Sequence, residues 1–445
     1  MVGRPASAFP NFDDRRVVDS HMDHLDTHGI SRREFLSFAS ASAAATAAAV
    51  ALGLPSVAVA DPSGKLAYLT GFLRNEWNQL VAAGATQAAK DFGLNFVVLD
   101  SHLNAQEQTN QFEQQAVGGA QGIILNLSDG GTIRRLAQQA KQDQIYIANI
   151  WDSQPWFTPF DANDYWTLYA QPEEFSSIKE ATGRLLKLVT ETFGGGEIAG
   201  VTGNDGSTLD IERSAGRDAA FPAYPKTKLV GTLPGLWNRE DSLKAAAALL
   251  SRHPNIKGFV AQNDDVALGI LAALHNAGLE PGKDVFVVST DGTTEAARLI
   301  KRGQILITAA NPGTYAGGFF TARIYDVTHG WTPRNTERLL AWRSVLIDAS
   351  NIDAYIARHV DNGGKPPFNY RLMSKVAHPK DWDPQQEVYP FDLDVLWAKL
   401  PKPAGYEYPK QYTEAKTNGE WDAVRKEYAD HYKFKFLDPL SSVPT

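Results

Sequence analysis

The chain has 445 residues, 51 acidic against 43 basic side chains for a net charge of −8, and no cysteine. That length suggests two or three domains. The acidic balance argues against a nucleic-acid-binding face, which needs clustered positive charge, and the missing cysteines exclude disulfides, thiol catalysis and a lipidated-cysteine anchor.

The first 60 residues read as a leader. SRREFLSF (31–38) places Arg32 and Arg33 ahead of an alanine-rich apolar run from Ala39 to Leu54, and Ala58 and Ala60 form a small-residue cleavage site before Asp61. A charged region, an apolar region and a small-residue site make an export signal. The paired arginines followed by Phe35 and Leu36 resemble the twin-arginine type, so export to the periplasm with cleavage near Ala60 is expected. Translation from Met22 instead of Met1 is compatible with the same signal.

From Lys65 onward, short apolar runs alternate with amphipathic helical patterns. KLAYLTG (65–71), NFVVLD (95–100), GIILNLSD (122–129) and IYIANIWD (145–152) read as strands, with helices between them, among them Ala105 to Val117. Apolar strands alternating with helices imply buried parallel strands in βαβ units. The pattern restarts after about residue 172 with a helix from Phe175 to Phe193. Strands at 197–206, 228–235, 257–262, 285–290 and 305–311 follow, with helices at 239–252, 264–278, 293–302 and 314–329. The fold class is therefore α/β, with two doubly wound, Rossmann-like lobes. Beyond Asp348 the chain turns proline- and aromatic-rich (KPPFNY, HPKDWDPQQEVYPFD, LPKPAGYEYPKQY), with two helical patterns near 413–430. It is too aromatic for a disordered tail, and an extended wrap over the α/β body is expected.

In open α/β sheets, ligands bind beyond the carboxyl ends of the strands. That rule selects Gly71 to Trp77, Asn126 to Asp129, Trp151-Asp152, Asn204 to Asp210, Trp237-Asn238, Asn263 to Asp265 and Asp291-Gly292. Each cluster holds an amide, a carboxylate or a tryptophan, and bases are few. Such a set suits a polyhydroxylated ligand, since amides and carboxylates fix hydroxyls in direction and indoles cover apolar sugar faces. In AQNDDVALGILAAL (261–274), Asn263 is expected to face the cleft while Asp264 or Asp265 caps the helix that follows.

The segments FVAQNDDVALGILAALHNAGL, VFVVSTDGTTEAARLIKRGQI and GIILNLSD resemble the type I periplasmic sugar-binding proteins of ABC transporters, nearest to the ribose- and galactose-binding group, from about Lys65 to Asp348. The resemblance implies two lobes joined by three hinge strands that close on one sugar without catalysis, cofactor or metal, as a monomer that docks on an inner-membrane ABC permease. It implies a leader at 1–60, an N-terminal lobe of 61–170 plus 311–343, a C-terminal lobe of 171–310 plus 344–350, and an extension at 351–445, with hinges near 170–172, 310–312 and 342–346. It places ligand contacts at Asn75 and Trp77 in RNEW, Asn126 in ILNLSD, Trp237 in GLWNRE, Asn263 in AQNDD and Asp291 in TDGT. Trp151 and Asp152 stand where the ribose-binding pattern has Asp-Arg. Arg213 is the nearest basic residue to the pattern's arginine, and Ala310 replaces a glutamine. These departures point away from ribose toward another monosaccharide or a polyol.

Two alternatives use the same residues. One is a periplasmic receptor that presents sugar to a membrane sensor. The other is a sugar-processing enzyme, with Asp152 and Asp291 as the carboxylate pair of glycoside hydrolysis.

Overall fold

The computed structural model describes residues 64–397 and 400–444; the leader, its paired arginines and its cleavage site lie outside them. The first lobe is built on β1 (Lys65–Thr70), β2 (Asn95–Asp100), β3 (Gly122–Asn126), β4 (Tyr146–Ile150) and β5 (Trp166–Glu173), with α1 (Glu76–Asp91), α2 (Ala105–Val117), α3 (Ile133–Asp143) and the one-turn α4 (Pro159–Ala162) between them. The second lobe follows: α5 (Phe175–Phe193), β6 (Gly196–Thr202), α6 (Thr208–Asp218), β7 (Thr227–Pro234), α7 (Arg239–Arg252), β8 (Ile256–Ala261), α8 (Asp264–Asn276), β9 (Phe286–Asp291), α9 (Thr294–Lys301) and β10 (Ile307–Ala310). The chain then returns to the first lobe through α10 (Gly313–Thr328) and β11 (Leu339–Arg343), and sends β12 (Val345–Ile347) back to the second.

The first sheet has the order β13-β11-β5-β4-β3-β1-β2, with β13 at Val388–Pro390, and the second β12-β10-β9-β8-β6-β7. Strands β1 to β5 and β11 run parallel in the first, β6 to β10 in the second, and each sheet ends in one antiparallel strand. Central strands such as GIILN are buried throughout, as parallel strands covered on both faces must be.

The chain crosses between the lobes at Glu174, at Asn311-Pro312 and at Ser344. The first crossing falls just beyond the expected 170–172, because β5 continues through Gln171-Pro172-Glu173, a sequence that reads as a turn. The return helix α10 lies against α1 with almost no side chain between them. A Cβ on Gly313 would come within 2.3 Å of the Trp77 carbonyl, and one on Gly317 within 2.1 Å of the Val81 carbonyl. Glycine is required there for backbone to approach backbone, which explains GTYAGG.

The described residues after Asp348 pack on both lobes. Helix α11 (Ile352–Tyr355) lies beside α9, with Lys301 and Asp353 3.0 Å apart and the Tyr355 hydroxyl donating to the Gly292 carbonyl. The chain then moves to the first lobe. Tyr370 covers Gly318, Arg371 donates to the Asp91 carbonyl at 2.9 Å, and β13 (Val388–Pro390) pairs with β11. Helices α12 (Lys410–Thr417) and α13 (Glu420–His431) complete the wrap. Lys375 binds it to the body: the ammonium contacts Glu337 and Glu427 and lies 4.3 Å from the Trp382 ring centre and 4.6 Å from that of Tyr428. Finally, Arg358, beyond α11, donates to the carbonyls of Lys435 and Asp438, so the tail is tied back to the segment that lies on the second lobe.

Candidate functional site

The carboxyl ends of the two sheets face a common cleft with about 400 Å³ of empty space, counting the part open to solvent. The structure brings all nine expected residues to its lining: Asn75, Trp77, Asn126, Trp151 and Asp152 from the first lobe, and Arg213, Trp237, Asn263 and Asp291 from the second. Phe72, Asn78 and Leu209 join them. Contacts cross between the lobes around the cleft. The Thr294 N–H donates to Glu76 at 2.8 Å, the Ser153 N–H to the Thr208 hydroxyl at 3.5 Å, and the Gln171 amide to Glu212 at 2.6 Å.

On the first lobe the core of the lining is an amide relay. Asn75 caps α1: its side-chain oxygen accepts from the Asn78 N–H and from the Asn78 side-chain amide, each at 2.9 Å. The Asn78 side-chain oxygen in turn accepts from Tyr68 at 2.5 Å, Thr70 at 3.1 Å and Asn126 at 2.9 Å. Asn126 is thereby fixed in orientation, and its own side-chain oxygen is buried with no partner among the described residues. Nothing in the sequence pattern marked Asn78; the N-x-x-N spacing at the start of α1 was the available signal. Trp77 is nearly buried. Its indole N–H donates to the Asn311 carbonyl at 2.8 Å and to its side-chain oxygen at 2.9 Å, and its ring lies 4.2 Å from that of Trp151.

On the second lobe Asn263 differs from its expected part. It caps α8 itself, accepting from the Val266 N–H at 2.7 Å, and still lines the cleft. The expected caps are engaged elsewhere. Asp264 is buried and accepts from Ser289, Thr308 and the N–H and hydroxyl of Thr293, while Asp265 pairs with Arg239 at 2.6 Å. Burial raises Asp264 to about 6, against those four hydrogen bonds. By tying β9, the loop after it and β10 together, Asp264 fixes the position of Asp291. Trp237 lies flat over Gly203, where any Cβ would fall 1.9 Å from the ring.

Arg213 is fully buried. It makes a two-pronged ion pair with Glu174, Nε to Oε2 at 2.9 Å and Nη2 to Oε1 at 2.7 Å, and its Nη1 donates to the Gln262 carbonyl. Asp291 lies 3.6 Å from the same guanidinium. Burial disfavours the arginine's charge, but Glu174 and Asp291 more than offset it and hold its pKa above the ordinary value. Glu174 sits on the first hinge crossing, so the cleft residue Arg213 is paired directly with the hinge. Sequence reasoning missed it, because one glutamate in a Glu-Glu pair at a strand end reads as solvated.

Three lining residues, Trp151 (φ 54°), Trp237 (φ 60°) and Asp291 (φ 123°), have positive φ. That conformation costs about 1–3 kcal/mol per non-glycine residue and persists where surrounding structure enforces it, commonly at binding sites.

Next to the hinge, Glu212 accepts from Gln171 and from the Glu174 and Phe175 N–H groups. Burial, and then the neighbouring Glu174, push it up to about 8. The native chain therefore holds this proton more tightly than the unfolded chain, whose glutamates titrate near ~4.3. The resulting stability is complete below that value and is lost as pH rises through about 8. Between pH 5 and 8 the melting temperature should fall, with a shallower slope in Glu212→Gln; equal slopes in a pH series of calorimetric melts would remove Glu212 as the cause.

A family model described as the periplasmic binding protein domain matches residues 66–321. The ribose import binding protein of Salmonella typhimurium is 28% identical over 245 residues, 55% of this chain and 78% of that one. A D-apiose import binding protein of Actinobacillus succinogenes is 25% identical over 307 residues, 66% of this chain and 92% of that one. Among solved structures, the periplasmic binding component of the arabinose ABC transporter of Shewanella sp. ANA-3 shares the fold with a TM-score of 0.60 at 20% identity, covering 67% of this chain and 97% of that one. Two parallel sheets with a cleft at their carboxyl ends, three crossings between them and a family match spanning most of both lobes place this chain in the periplasmic binding protein family, type I.

Proposed function

We propose that the protein is the solute-binding component of an ABC transporter, which encloses a monosaccharide or related polyol between its lobes and delivers it to a membrane permease. The observation that supports this reading most is the convergence of three indoles, four asparagines, two aspartates and an arginine from both lobes on one cleft. Relatives named as ribose and apiose import binding proteins agree with it. The ligand is held first by the amide relay of one lobe and then enclosed by Trp237, Asn263 and Asp291 of the other. Closure follows only from higher affinity for the closed form. Export through the twin-arginine leader, with cleavage near Ala60, puts the mature chain in the periplasm; N-terminal sequencing of the exported protein tests that step. A membrane sensor is the alternative partner.

Among the described residues, the extension contributes no side chain to the cleft lining. Its strand β13 lies on the hinge-bearing side of the first sheet, next to β11. It braces the hinge and leaves ligand recognition to the two lobes.

Trp237→Ala, checked for a native melt, is expected to weaken sugar binding at least tenfold, about 1.4 kcal/mol, since the indole lines the cleft against Gly203. Unchanged affinity by calorimetry would remove Trp237 from the site.

A further inference from the structure

We infer that the ligand carries a positive charge as well as hydroxyls: a monoamino sugar or amino polyol, its ammonium group held against Asp152. The inference rests on the sugar-site reading above and narrows its ligand class.

The cleft lining holds two carboxylates, Asp152 and Asp291, and one cation, Arg213. That cation is already engaged. Three of its N–H groups go to Glu174 and to the Gln262 carbonyl, and Asp291 stands at 3.6 Å, beyond hydrogen-bond distance. With Glu174 included, three carboxylates share one guanidinium. Asp152 has no basic side chain near it in the lining, and its charged neighbour is another carboxylate, Asp129. Burial, and then Asp129, push Asp152 up to about 7, against one hydrogen bond from the Thr208 N–H of the other lobe; no basic side chain offsets them.

The rest of the lining fits the same ligand. An ammonium has three donors and no acceptor, and the cleft offers acceptors in excess: both aspartates and the unpartnered side-chain oxygen of Asn126. A neutral alcohol at the same position leaves Asp152 uncompensated, and a sugar acid adds to the excess charge.

The test is calorimetry near neutral pH on the mature protein with matched alcohol, amine and acid sets. One set is D-sorbitol, 1-amino-1-deoxy-D-sorbitol and D-gluconate; a second is D-glucose, D-glucosamine and D-glucuronate; the corresponding galactose, mannose and pentose sets complete the panel. In the set that binds, the amine should bind at least tenfold tighter than its alcohol and the acid should not bind. Asp152→Asn, checked for a native melt, should bring the amine down to the level of the alcohol. An alcohol that binds as tightly as its amine overturns the inference and leaves the sugar-site reading standing. Absence of saturable binding across the whole panel overturns both.

Discussion

Replacing Arg213 by alanine is expected to lower folding stability by about 3–5 kcal/mol, the usual cost of removing one partner of a buried ion pair. The loss comes from Glu174. Its carboxylate is fully buried, and the guanidinium meets both of its oxygens. Without the arginine, Glu174 faces Glu212 across the hinge with no cation between them, a neighbour that already pushes Glu212 up to about 8 after burial itself. The double variant Arg213→Met/Glu174→Leu should recover much of the stability, because replacing a buried pair by apolar groups is often neutral. Neither variant should bind ligand, since each removes a cleft cation and the hinge contact beneath it. The measurement is urea denaturation of the two variants beside the parent chain. A single-variant loss below about 1 kcal/mol would mean that the pair behaves as an ordinary surface salt bridge and that the hinge does not depend on it.

Ending the chain at Ser350 is expected to abolish stable folding of the α/β body. The extension buries Phe368, Tyr370, Met373, Trp382 and Phe436 in the same core as Tyr315, Phe319, Phe320 and Trp342 of the body. Each large side chain is worth about 1.5–3 kcal/mol when fully buried. Five together exceed the lower part of the ~5–15 kcal/mol total stability of a typical domain. The truncated chain would also leave Asp326 without Ser374 and the Val376 N–H, and Arg323 without the Met373 carbonyl. Soluble yield and a circular-dichroism melt decide the matter. A truncated chain that melts within a few degrees of the parent would show the extension to be an appendage rather than part of the core.

The sequence read most clearly where period and punctuation agreed. Helix α5 was legible from Phe175 to Phe193 because its apolar face repeats at helical spacing and Gly194 ends it in a left-handed cap. The strand-end rule collected the cleft residues because doubly wound sheets leave little else at that edge. Strand β5 stayed hidden because WTLYAQPE ends in Gln-Pro-Glu, and its pairing with β11 is a tertiary contact between segments 170 residues apart in the chain. The short strand β13 is three residues long and contains a proline; only the exposed edge of β11 makes it a strand. The cap of α8 was misassigned to an aspartate because three polar residues in a row offer equal local candidates. What decides is the buried set of hydroxyls from Ser289, Thr293 and Thr308 that claims Asp264 and leaves the cap to Asn263. Glu174 and Asn78 were missed for a related reason: each acts through another side chain, Glu174 on Arg213 and Asn78 on Asn75 and Asn126.

The central claim is that both lobes grip one hydroxyl-rich molecule in the cleft between Trp77, Trp151 and Trp237. The most direct measurement is a crystal structure of the mature protein with the tightest-binding member of the sugar, polyol and amino-sugar panel. The account predicts one molecule, chemically unaltered, with hydroxyls on Asn75, Asn126, Asn263 and Asp291 and an indole against its apolar face. A ligand seated elsewhere on the chain, or one found cleaved in the cleft, would contradict it.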